Sequence, residues 1–126
     1  MLLFLDYILT FLHASLVIFA ITGWAFDSTR KFHFWTVLCI LFAWLVIGYW
    51  LGTIGYCPIT DFHWDLKRAL GEVNLPNSFI KYMLDWLFQY DFNRHEVDRL
   101  TGIVMVLVVT ITGWKKIEQQ WLAPVQ

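Results

Sequence analysis

Charged side chains are scarce in this chain, and their scarcity excludes most water-soluble folds. Asp, Glu, Lys and Arg make up 15 % of the 126 residues and hydrophobic residues 59 %, whereas globular domains run near ~25 % and ~45–50 %. One soluble domain of this length cannot hide so much apolar surface in a single core; a bilayer can take it. From Phe32 to Ile54 there is no acid and no Lys or Arg at all. The net charge of −1 comes without a strongly basic region, so no nucleic-acid partner is expected. The only cysteines, Cys39 and Cys57, are separated by mostly helical chain spanning ~25 Å at ~1.5 Å per residue. An internal disulfide needs Cα atoms within ~7 Å and is not expected. No Lys or Arg precedes Arg30, so the first apolar stretch lacks the basic flank of a signal peptide and is read as a retained span. Gly-rich phosphate loops, a G-x-S-x-G elbow and a paired-carboxylate site are also missing.

What is present is an all-α integral membrane pattern: three transmembrane helices plus two short amphipathic helices in a long second connection. About 20 apolar residues span a bilayer. The spans are read at about 2–26, about 32–54 and about 98–116, the last flanked by Arg99 and Lys115, which can snorkel. The short polar hairpin Asp27–Lys31 makes the first two spans antiparallel neighbours, with Ser28 or Thr29 as the cap. The second connection is too long to be structureless. In it, helical spacing predicts amphipathic helices over about 60–71 and about 77–90, lying at the interface or against the bundle. Trp24, Trp35, Trp50 and Trp114 fall near span ends, where indole prefers the headgroup level. Arg30, Lys31, Lys115 and Lys116 crowd one side, which points to an outside N-terminus and long connection and a cytoplasmic C-terminus.

Five residues stand out as a candidate ligand site. Asp6, Thr10 and His13 share one face of the first span, and an ionisable group at that depth faces protein or water rather than lipid. The functional reading is a proton, metal or ligand site; the bland one is a neutral imidazole serving as interhelical glue. Cys57 and His63 bracket the turn Cys57-Pro58-Ile59-Thr60. There Pro58 stops the second span and Thr60 restarts a helix, with His63 in the N3 position of a capping box. Thiolate, carboxylate and imidazole within seven positions could bind zinc, but the spacing matches no established metal site, and no metal is assigned. A haem between two imidazoles needs both at one depth; His33 and His95 lie at span starts and only His13 is deep, so a single chain does not supply the pair. Gly48 and Gly52 form a GxxxG helix-packing pattern, and Asp98 is the expected cap of the third span.

The turn Cys57-Pro58-Ile59-Thr60, with His13 before it and Leu66–Gly71 and Ser78–Tyr82 after it, resembles the short bacterial membrane proteins grouped as domain-of-unknown-function family 2784. The resemblance covers about His13 to Trp114. Many members carry Glu where this chain has His63. It implies a bacterial inner-membrane protein and brings no activity. Three functions are compatible with the residues. The leading one is a non-catalytic accessory subunit acting through a membrane-protein partner or a second copy. Another is a ligand-binding, redox-linked protein using His13, with quinone, lipid, metal and haem as candidates in falling order. The third is a small membrane enzyme on lipid-like substrates, with Cys57, His63 and Asp61 as nucleophile, base and orienting acid.

Overall fold

The computed structural model describes residues 1–122, and these form five helices with no strand among them. Helix α1 (Leu2–Thr22) continues through a 3₁₀ turn at Gly23–Ala25, and α2 spans Arg30–Leu51. Two shorter helices follow, α3 (Pro58–Ala69) and α4 (Phe79–Phe88), and α5 (Arg94–Leu122) closes the fold. Helices α1, α2 and α5 are long and apolar enough to cross a membrane, yet only 11 % of the residues in each one's most apolar window are buried. Phe11, Ile18, Trp35, Phe42, Val46, Val106 and Leu107 all lie exposed. At ~25 cal/mol per Å² so much apolar area cannot face water. The chain is a membrane protein with three spans and two amphipathic helices.

The little that is buried falls on narrow stripes. On α1 it is Asp6, His13 and Ala20, which recur every second turn and so share a face. On α5 it is Val97, Val108 and Thr112. The three spans are joined at one end by His33, which the fold places inside (1 % exposed). Its Nε2–H donates to the Ala20 carbonyl at 2.8 Å, and Thr112 Oγ1 lies 3.5 Å from Nδ1. A ring protonated on Nε2 can therefore accept from Thr112 while donating to Ala20. One imidazole thus ties α2 to both other spans.

Gly23 is what lets His33 approach. A Cβ there would stand 2.8 Å from His33 Cδ2 and 2.8 Å from Phe19 Cε2. His33 cannot retreat without losing its bond to Ala20, so Gly23→Ala is expected to cost about 1–3 kcal/mol by overpacking. A lowered midpoint in denaturing-detergent titration checks this; an unchanged midpoint would show that the ring has room to move.

Several local expectations are corrected. The GxxxG pair does not seat another helix of this chain. A Cβ on Gly48 would lie 2.5 Å from the Thr53 carbonyl oxygen, so that glycine admits its own returning backbone, and Gly52 ends α2 at a φ of 72°. Helix α2 therefore stops at Leu51 rather than Ile54, after a widened π-helical stretch at Phe42–Ile47. Thr29 occupies the α2 N-cap without capping it; its hydroxyl donates to the Gly23 and Phe26 carbonyls instead. Helix α3 starts at Pro58, with Cys57 and not Thr60 as N-cap residue. Proline's missing N–H and preset φ suit the first helical position, which leaves Thr60 and His63 a turn further in and buried. Helix α5 starts at Arg94, where Asn93 Oδ1 accepts from the His95 N–H at 2.9 Å. Asp98, the expected cap, instead faces Arg94 at 3.6 Å.

Candidate functional site

Helix α3 is amphipathic, and its inner face reads Thr60, His63, Trp64 and Lys67, the i, i+3, i+4, i+7 spacing of one helical stripe. It packs that stripe against the first two turns of α1, where Asp6 points inward. His63 Nε2–H donates to Asp6 Oδ1 at 2.8 Å, and Lys67 Nζ donates to Asp6 Oδ2 at 3.1 Å and to Glu72 Oε1 at 3.0 Å. Lys67 Nζ also lies 3.1 Å from Asp6 Oδ1, so the ammonium straddles the carboxylate while His63 binds one oxygen, and the two donors come from residues one helical turn apart. Asp6, His63 and Lys67 are 5 %, 0 % and 2 % exposed. Polar groups this deep are costly unless they are hydrogen-bonded, and here the Asp6 carboxyl meets both the His63 imidazole and the Lys67 amine. Thr10 sits one turn below Asp6. Its hydroxyl donates to the Asp6 carbonyl at 2.8 Å and lies 3.3 Å from His63 Nε2, where it can share that donor.

His13 extends the cluster one more turn along α1. Its ring stacks on Phe79 of α4, with centroids 3.8 Å apart and planes within 12°. Its Nε2 lies 3.9 Å from Cys57 Sγ, and its centroid is 6.4 Å from that of His63. The Nδ1 atoms of both imidazoles are buried without a hydrogen-bond partner, a costly condition for polar atoms. Aromatic rings wall the site. Trp64 Nε1–H donates to the Pro76 carbonyl at 2.6 Å, which fastens the α3–α4 loop under α3, and Lys67 Nζ lies 4.8 Å over the Tyr82 ring. Ser78 caps α4 by accepting from the Lys81 N–H at 3.1 Å.

The fold brings Asp6, Thr10, His13, Cys57 and His63 into one cluster. It separates the trio Cys57, His63 and Asp61: Asp61 is exposed and accepts from the Tyr56 hydroxyl at 3.0 Å, and the imidazole nearest the thiol is His13. Pro58 and Thr60 shape the entry to α3. Gly48 and Gly52 lie at the end of α2, where Gly48 meets only the returning backbone at Thr53 and Ile54. Lys67 is the member that sequence reasoning misses, because a lysine on an amphipathic helix normally reaches for water. Its signal was the shared stripe with His63 and Trp64. Among the described residues, no three His, Cys, Asp or Glu side chains are placed to hold one metal ion.

Burial pulls against the Lys67 ammonium, but contact with Tyr82 and the bonds to Glu72 and Asp6 outweigh it, so its pKa is raised above the ordinary lysine value of 10.5. At the far end of α4, burial pushes Asp85 upward. Its bond to Lys81 and the Phe92 N–H (2.9 Å from Oδ1) outweigh this and hold it below its ordinary 3.8. A raised amine contributes its stability in full below the unfolded value and loses it as pH rises through the folded one; a depressed carboxyl loses its contribution as pH falls through its folded value. The α3–α4 unit is therefore expected to hold between these limits, loosening from the Lys67 side above 10.5 and from the Asp85 side below 3.8. Proteolytic cleavage of the 53–93 connection across pH, with the spans kept in detergent, reads both edges. Flat susceptibility at alkaline pH would exclude Lys67 as a clamp.

The family model described as Protein of Unknown function (DUF2784) matches residues 3–116. No curated protein and no solved structure matches the chain.

Proposed function

Because the chain belongs to the DUF2784 family, which brings no activity with it, we propose from the geometry that it is a non-catalytic accessory protein of a membrane complex, presenting its α3–α4 unit to a membrane-protein partner. The observation that carries this is the buried pairing of Asp6 with His63 and Lys67. Apolar residues of similar volume would hold α3 on α1 at equal or lower cost. What paired charges add is a single permitted orientation, because Asp6 meets its two donors in one register only. That orientation is useful if something reads it. The part held out is the aromatic end of α4, where Trp86, Leu87, Phe88 and Tyr90 are all more than 60 % exposed. In this reading the protein lies in the bacterial inner membrane, with the Arg30 and Lys115 end cytoplasmic and α3–α4 outside.

A photoreactive residue at Leu87, irradiated in native membranes, tests it. A discrete protein adduct is expected, and Lys67→Met, which frees the platform without shortening a span, should lose it. Adducts to lipid alone would overturn the proposal.

The two partnerless Nδ1 atoms of His13 and His63 favour a second reading, in which the cluster binds a small hydrogen-bond donor or a proton-carrying ligand such as a quinone. A quinone or absorbing cofactor copurifying with the wild type and lost in His13→Ala would support it. Featureless spectra and identical lipid extracts from the two proteins would remove it.

A further inference from the structure

The end of the molecule away from Asp6 holds a second polar site. Trp24, Arg30, His33, Thr112, Lys115 and Lys116 line a small open cavity of about 20 Å³ between the ends of the spans, which is room for one water-sized group. Three of the lining residues, Arg30, Lys115 and Lys116, are cations, and they come from two helices, α2 and α5. Their present partners are weak competitors. Arg30 pairs with Asp27, whose side chain is 83 % exposed, and its Nε–H donates to the Trp24 carbonyl at 3.2 Å. Lys115 meets Glu118 at 3.1 Å at a part-exposed position. Lys116 lies 5.2 Å over the Phe34 ring. Water-facing pairs of this kind contribute little, and three cations against two carboxylates leave positive charge in excess. The N-terminus of the 22-residue α2 opens on the same region without a side-chain cap, adding the positive end of its dipole.

We propose that this cavity seats a phosphate oxygen of an anionic phospholipid headgroup, held by Arg30, Lys115 and Lys116. Position favours a lipid over free phosphate as the source. The cavity lies where the spans meet the headgroup layer, and Phe32, Trp114 and Ile117, exposed beside the cations, offer the acyl chains a surface. A zwitterionic headgroup fits less well, because its own cation would face the lysines.

The test uses the full chain, delipidated in detergent and offered phosphatidylglycerol, phosphatidylcholine or inorganic phosphate, with bound molecules counted by native mass spectrometry. Phosphatidylglycerol is expected to bind about ten-fold tighter than phosphatidylcholine, on the scale of one to two surface cations. The Lys115→Gln/Lys116→Gln double variant should lose most of that preference, while Lys81→Gln at the opposite end keeps it. In the wild type, raising salt from about 0.05 M to about 0.5 M should erode the preference through screening, a measurement that needs no variant to fold. Equal binding of the two lipids, or a preference indifferent to both salt and the double variant, would overturn the proposal. Displacement of phosphatidylglycerol by millimolar inorganic phosphate would reassign the site to a free anion and defeat the lipid.

Discussion

Lys67→Met is expected to destabilise the fold by about 3–5 kcal/mol, the usual cost of removing one partner from a buried ion pair. Methionine fills the space of the lysine stem, so the loss is electrical rather than steric. Asp6 would keep His63 on one oxygen and have nothing on the other, and Glu72 would lose its donor as well. Most of the cost is the penalty of leaving a carboxylate in a dry site, so it should be recoverable by removing the charge. Asp6→Asn in the Lys67→Met background is therefore expected to restore a large part of the stability, although Asp6→Asn alone destabilises. Denaturing-detergent titration of the four proteins gives the coupling between the two positions. If the two losses simply add, the pair is not a unit and the account of α3's attachment fails.

His33→Ala is the second large effect, expected at about 3 kcal/mol from the cavity left behind and the broken bond to the Ala20 carbonyl. The Ala20 carbonyl retains its helical setting, but Thr112 is left beside a void. Thr112→Val should cost far less, about 1 kcal/mol, since its contact with Nδ1 is long at 3.5 Å while the Nε2 bond is 2.8 Å. Equal effects from the two substitutions would mean that α5, rather than α1, is what His33 chiefly holds. Both proteins can be compared with Gly23→Ala, which disturbs the same ring by crowding.

The spans were legible because hydrocarbon demands long uninterrupted apolar runs, a signal read along the chain without knowing any contact. Helix α3 was legible as an amphipathic helix, but its inward face was not, because His63 and Lys67 lie on it and a rule of period and polarity assigns such side chains to water. What could not be read is which polar groups pair. Thr60 followed three positions later by His63 has the local form of a capping box, and a local rule cannot see that Asp6, 57 positions upstream, outbids the backbone for that imidazole. His33 misleads in the same way. At a helix start a histidine ordinarily faces water, and only the small Gly23 opposite it allows the ring inside. The candidate site was thus half legible: Asp6, Thr10 and His13 by shared helical face, Cys57 and His63 by their place at a turn, and Lys67 not at all.

The separation between Asp6 and its donors also sets an order of events during synthesis. At ~5–20 residues per second, the ribosome needs several seconds after Asp6 emerges to deliver His63 and Lys67. Throughout that delay the leading helix must coexist with the lipid carrying an unanswered negative charge. Its place in the second turn, rather than at mid-span, lets the carboxylate wait within reach of water until the later helix arrives. A nascent chain arrested before His63 should therefore leave position 6 open to an aqueous reagent that the completed protein refuses.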